Sequence, residues 1–166
     1  MNTIDIVNGI IFNMLGLSIE SFDDRLICQK KIYLLQALGV DLGYKYNWYV
    51  HGPYSPTLTN YAYSHIDIFN SYDFSGYELN EDAVERIAIV NDIANDRQEG
   101  CDEASWYELL ASIVYVFSNL CSWGIVGGTD ATDNEVIRKV IEYKPQYDED
   151  NCIHALEILR NRNFDV

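Results

Sequence analysis

Residues 30–63 read KKIYLLQALGVDLGYKYNWYVHGPYSPTLTNYAY, and this stretch decides the fold. It opens inside a helix. Leu26, Ile27, Ile32, Tyr33, Leu34, Leu35 and Leu38 are apolar on more than one helical face, the mark of a helix held inside a domain. Gly39 is placed to close it. The period then changes. Tyr44, Tyr46, Trp48 and Val50 alternate with Lys45, Asn47, Tyr49 and His51, which predicts a strand over 44–50 with one wetter face. Gly52-Pro53 is expected to end that strand, since Pro removes a backbone donor and Gly allows a sharp turn. Ser55-Pro56 reads as an N-cap followed by the first residue of a helix.

Outward from this unit, the spacing predicts a helix over 3–15 and places the second helix at 23–38. A third follows over about 56–66. Ser75 to Leu79 reads as a short second strand, bent at Gly76, which would pair with 44–50 as a wing. Asn80 caps a helix with an acidic first turn and a single stripe of Ala83, Ile87, Val90 and Ala94. After the polar break at Arg97–Asp102, residues 104–121 are apolar on several faces and form the expected central helix. Thr132 or Asp133 caps a helix that ends at Lys144-Pro145, and the last helix runs over about 149–161. The chain of 166 residues, 48% apolar, suits a single domain, mainly helical, with a winged-helix-like N-terminal half and C-terminal helices.

The quoted segment also resembles the YwgA-like bacterial proteins. These are in turn similar to the SocA-like "Panacea" antitoxin domain, in which a Lys-x-x-Tyr helix leads to an aromatic strand and a Gly-Pro turn. The marks here are Lys30, Tyr33, Gly43, Tyr44, Tyr49, Gly52, Pro53, Tyr54 and Ser55. SGYELNEDAVERI, WYELLASIVYVF and the closing EYKP…IHALEIL look like the same pattern downstream. The resemblance implies a protein-binding role, since SocA-like proteins hold a toxin and in one case present it for proteolysis. It carries over no catalytic residue.

Charge narrows the partners. Eleven basic residues against 26 acidic give −15. Between Asp67 and Glu103, eleven carboxylates face only Arg86 and Arg97, a local balance of −9. Such a field repels phosphate backbones and disfavours nucleic-acid binding. It is either a solvated acidic face or a patch for a basic partner, with Glu81, Asp82 and Glu85 as its candidate contacts. Thirteen tyrosines, nine of them between Tyr33 and Tyr77, supply the rigid contact area of recognition surfaces or a half-buried core. No apolar run reaches the roughly 20 residues that cross a bilayer. The N-terminus lacks the basic start of a signal peptide, and four scattered cysteines read as reduced thiols of a cytoplasmic protein.

Tyr49, His51, Tyr54 and Ser55 are the candidate site: an imidazole near two phenols and a hydroxyl, or equally a strand end, two packed rings and a cap. Lys30, Tyr33, Gly52, Pro53, Ser55 and Pro56 are read as structural. His51, His65 and His154 lie far apart, and no Cys or His pair has ligand spacing, so neither metal nor cofactor is expected. Asp148-Glu149-Asp150 reads as a helix start. The loop GIVGGTD matches no phosphate-cradle pattern and reads as a turn. The expectation is therefore a protein-interaction module of antitoxin or adaptor type, its partner a toxin, a protease or a host defence factor. The alternatives are a phage or mobile-element effector that mimics nucleic-acid charge, and an enzyme using the His51 region.

Overall fold

A computed structural model describes residues 1–120, 123 and 132–166. Its helices are α1 (Thr3–Met14), α2 (Phe22–Ala37), α3 (Pro56–Ser71), α4 (Glu81–Asp92), α5 (Glu103–Asn119), α6 (Asp133–Tyr143) and α7 (Glu149–Asn161). Two strands, β1 (Asn47–Tyr49) and β2 (Gly52–Tyr54), lie between α2 and α3, and a 3-10 turn (Ile93–Asp96) follows α4. The chain is mainly helical with one small antiparallel hairpin. The loop read as GIVGGTD lies outside the described residues, as does Cys121.

The caps explain most helix starts. Ser21, Ser55, Asn80, Asp102, Thr132 and Asp148 each accept the hydrogen bond of an amide three residues on. Pro56 sits at the first position of α3, where its missing N–H costs nothing. α5 is the central element and packs against α2, β2, α6 and α7. Trp106, Tyr107, Leu110, Ile113 and Val116 on it are all buried. Its two largest rings satisfy their polar tips inside the core: Trp106 Nε1 donates to Ile93 O at 2.8 Å and the Tyr107 hydroxyl to Val90 O at 2.5 Å.

The sheet differs from the sequence reading. The strand is three residues long, not 44–50, and its partner is 52–54, not 75–79. The register pairs Asn47 with Tyr54, Trp48 with Pro53 and Tyr49 with Gly52, across a two-residue turn at Val50-His51. Gly52 therefore opens the second strand instead of ending the first; its φ of +83° favours glycine. Upstream, the backbone of Tyr44 has a different partner. The Gln36 side chain donates to Tyr44 O and accepts from Tyr44 N, both at 3.0 Å, so the alternation there needs no neighbouring strand. Ser75-Gly76 is a turn, closed by Tyr77 N donating to Phe74 O. Both strands thus precede α3, unlike the expected helix-strand-helix-strand order. Just before that turn, Phe74 packs onto α1, where a Cβ on Gly9 would lie 2.2 Å from the Phe74 ring.

Among the described residues no helix is long and apolar enough to cross a membrane.

Candidate functional site

The hairpin borders an apolar groove and is anchored by a buried ionic cluster. It forms one wall of the groove, whose volume is about 390 Å³. The N-terminal part of α2 supplies Phe22, Leu26 and Cys28; α3 supplies Leu58, Ala62 and Tyr63; the hairpin supplies Tyr49, Val50, His51 and Tyr54. The floor is buried, whereas Phe22, Tyr49, Val50 and Tyr63 stand at the rim with 46–84% of their surface open to solvent. The rings at the rim order one another. Tyr49 meets Tyr54 edge-on at 5.2 Å, and Phe22 meets His51 at the same distance. Burial pushes the Cys28 thiol up to about 12, so it behaves as an apolar floor residue.

Beside the groove, and sharing Lys30 and His51 with its lining, lies a buried ionic cluster. Lys30, 1% exposed, donates from Nζ to Pro53 O at 2.6 Å. Lys144 donates to Val50 O and to Glu108 Oε1, the latter at 2.6 Å. The two lysines thus grip one carbonyl of the turn and one of the second strand, Lys144 from just beyond α6 and Lys30 from α2. His51 Nδ1 stands 3.7 Å from the same Glu108 oxygen. One carboxylate faces two ammonium groups. Burial pushes the Lys30 amine down to about 7; Glu108 opposes that shift and Lys144 adds to it. The buried ion pair drawn by the geometry is Lys144–Glu108. Ser112 Oγ is buried without a hydrogen-bond partner among the described residues, 2.7 Å from where a Gly52 Cβ would stand.

The start of α3 is fixed by α2. Gln29 Oε1 accepts from Ser55 N at 2.9 Å, and its Nε2 donates to Ser55 O at 3.0 Å and to Thr59 Oγ1 at 2.8 Å. Thr59 Oγ1 in turn donates to the Tyr54 hydroxyl at 2.7 Å.

Of the candidate residues, the structure brings Tyr49 and Tyr54 together at the groove and sets His51 at its edge. Ser55 is fully buried as the α3 cap, and no hydrogen bond among the described residues joins His51 to Tyr49, Tyr54 or Ser55. The base-and-nucleophile arrangement is absent there. Tyr33 is half-buried, its ring 4.9 Å from Tyr46, and burial raises its phenol above the usual range. Glu81, Asp82 and Glu85 are exposed on the first turns of α4, but elsewhere. The contacts from α2 to α4 pair Lys31 with Asn91 and Gly39 with Arg86, so the helices run antiparallel. The acidic turns lie beyond the C-terminal end of α2, and the groove lies at its N-terminal end.

His65 stacks on Tyr61 near Asp5, and His154 binds Asp96 O, so both are engaged in packing. No group of three His, Cys, Asp or Glu among the described residues could hold a metal ion. The sequence reading missed Glu108, Ser112 and the burial of Lys144. The one available signal was a glutamate in the midst of the apolar central helix.

In comparisons with known proteins, no family model, no curated protein and no solved structure matches this chain.

Proposed function

We propose that this protein is an interaction module of the antitoxin or adaptor type, holding a protein partner in the groove between α2, α3 and the hairpin. The observation that carries the reading is the groove itself, with a buried floor and four large apolar side chains held open at its rim. Contiguous exposed apolar surface of this kind marks interaction sites. Clustered aromatic anchors supply most of the energy at such contacts. The resemblance of the Lys30–Ser55 segment to YwgA-like and SocA-like proteins supports the same reading, and it centres on the hairpin that walls the groove. The charge of −15 selects a basic partner and speeds its approach, the exposed acids of α4 contributing to the field at a distance.

The test is site-specific photocrosslinking in the native host. A photoreactive residue at Tyr63 should capture a defined basic protein, and the same residue at Glu157, on α7, should not. Groove-lining Leu26→Trp should abolish capture while circular dichroism remains native. Equal capture from both positions would refute the groove as the binding site.

A further inference from the structure

We infer that the groove binds a medium-chain fatty carboxylate, its acyl chain on the apolar floor and its carboxylate beside Arg25 and His51. Only the consequence rests on the interaction reading above: the bound chain competes with the partner for the same walls.

The lining is selective in sign. The chain carries 26 acidic residues against 11 basic, yet no carboxylate lines the groove, whereas Arg25, Lys30 and His51 do. Glu20 and Asp23 are exposed but lie outside the lining. Lys30 is buried and committed to Pro53 O, which leaves Arg25 and His51 for a ligand.

The two cations share one end of the groove. Arg25 Nη1 donates to the carbonyls of Ile19 and Glu20 at 3.1 and 3.3 Å, and Ile19 is itself a lining residue. Those bonds hold the guanidinium in place and leave its charge intact. Its Nε and Nη2 make no hydrogen bond or ion pair among the described residues. The adjoining Asp24 carboxylate accepts from Ser18 Oγ and the Ser21 amide instead. His51, its side chain half exposed, carries an N–H in either tautomer. Its ring meets Phe22 at 5.2 Å, and Phe22 and Arg25 are neighbours on one face of α2, three residues apart. A single carboxylate beside that ring would meet both.

Length and backbone chemistry then select the body of the ligand. The α2 wall runs from Phe22 to Lys30, about 12 Å at a rise of about 1.5 Å per residue. An extended hydrocarbon advances about 1.25 Å per bond, for bonds of about 1.5 Å meeting at about 111°, so about ten carbons span the wall. A volume of about 390 Å³ is that of a small-ligand site. A peptide laid along the floor would bring an N–H and a C=O at every residue, each needing a partner once buried. The uncharged polar side chains Gln29 and Thr59 on the lining are already engaged, Gln29 with Ser55 and Thr59, and Thr59 with the Tyr54 hydroxyl. A saturated chain brings no such groups.

Isothermal titration calorimetry of the full chain with decanoate, at about 0.15 M salt, should show one saturable site. Decan-1-ol and decylammonium, of the same chain length, should bind at least tenfold more weakly. Non-specific attraction to a chain of net charge −15 would favour the ammonium instead. Arg25→Gln should weaken decanoate at least tenfold and leave decan-1-ol within twofold, which also reports that the groove has kept its shape. Arg25→Lys, which keeps the charge, should recover most of the loss. Leu26→Trp fills the floor and should abolish both ligands. Equal affinity for decanoate and decan-1-ol, tighter binding of decylammonium, or undiminished decanoate binding in Arg25→Gln would overturn the inference. Displacement of decanoate by an equal concentration of a free-acid pentapeptide of Leu and Ser would assign the groove to a peptide chain end and also overturn it. Decanoate should in addition suppress photocrosslinking from Tyr63. If decanoate does not bind while Tyr63 still captures a partner, the ligand inference fails and the interaction reading stands. If decanoate binds and nothing is captured, the reverse holds.

Discussion

At the scale of single residues, the ground beneath the hairpin turn is unusually intolerant. Gly52 combines a positive φ with a position 2.7 Å from Ser112 Oγ. Gly52→Ala should cost about 3 kcal/mol, from backbone strain of about 1–3 kcal/mol and the displaced serine; chemical denaturation measures it. Lys30 gives a pH-dependent prediction. Its folded-state value is about 7 against 10.5 ordinarily, so between those limits the unfolded chain holds a proton that the folded chain has released. Stability then rises with pH across that window. Burial shifts Lys31 in the same direction, and the raised Cys28 thiol acts oppositely above about pH 9. The useful comparison is therefore wild type with Lys30→Met from pH 7 to 8.5. The wild type should gain on the order of 1–2 kcal/mol more than the variant. Parallel pH curves would contradict the buried amine's assignment.

Such residues were poorly legible in the sequence. Lys30 lies in an apolar helical run and Lys144 follows a helix, where a lysine ordinarily extends its head into water. The Pro53 and Val50 carbonyls, with the Glu108 carboxylate beside Lys144, make burial tolerable, and those contacts are distant in sequence. Caps, by contrast, act on amides three residues away, so Ser55, Asn80 and Asp148 were readable directly.

At the scale of elements, the same contrast holds between α3 and the hairpin. The start of α3 was legible from Ser55-Pro56, but its docking depends on Gln29. Gln29→Ala would leave the Ser55 amide without its buried partner, while the Ser55 carbonyl keeps the Thr59 amide. It should cost about 1–3 kcal/mol, the penalty of one buried amide left unsatisfied. Hydrogen exchange should show the first turn of α3 losing protection before α5 does. The hairpin was misread because alternation reports two faces, not a partner. Around Tyr44 and Tyr46 those faces are set by side chains: the Tyr44 hydroxyl donates to Asn8 Oδ1 and the Tyr46 hydroxyl to Gln29 O, both at 3.0 Å. The groove went unseen for a related reason. Its walls come from three segments, each of which looks like ordinary core when read alone.

At the scale of the molecule, a charge of −15 acts in two opposed directions. Self-repulsion weakens the compact state, so raising salt should increase the unfolding midpoint. Steering of a basic partner weakens over the same range, as the Debye length falls from about 10 Å at 0.1 M to about 3 Å at 1 M. Association should slow with salt, and Glu81→Gln, Asp82→Asn and Glu85→Gln together should slow it further while leaving dissociation nearly unchanged. These acids sit away from the groove, so an effect confined to the on-rate is the expected signature. Stopped-flow measurements across a salt series would resolve it, and a matching change in the off-rate would place them in the contact itself.

The grip of Lys144 on Val50 joins residues 94 positions apart in the chain. A hairpin normally completes itself locally, within microseconds. This one receives its Lys144 anchor only after 94 further residues have been made. At about 5–20 residues per second, synthesis leaves an interval on the order of 5–20 s in which the turn exists without that support. During that interval the groove has only a provisional wall. A partner waiting beside the ribosome would find its surface finished only once Lys144 emerges, so the order of manufacture itself delays binding until α6 has been made.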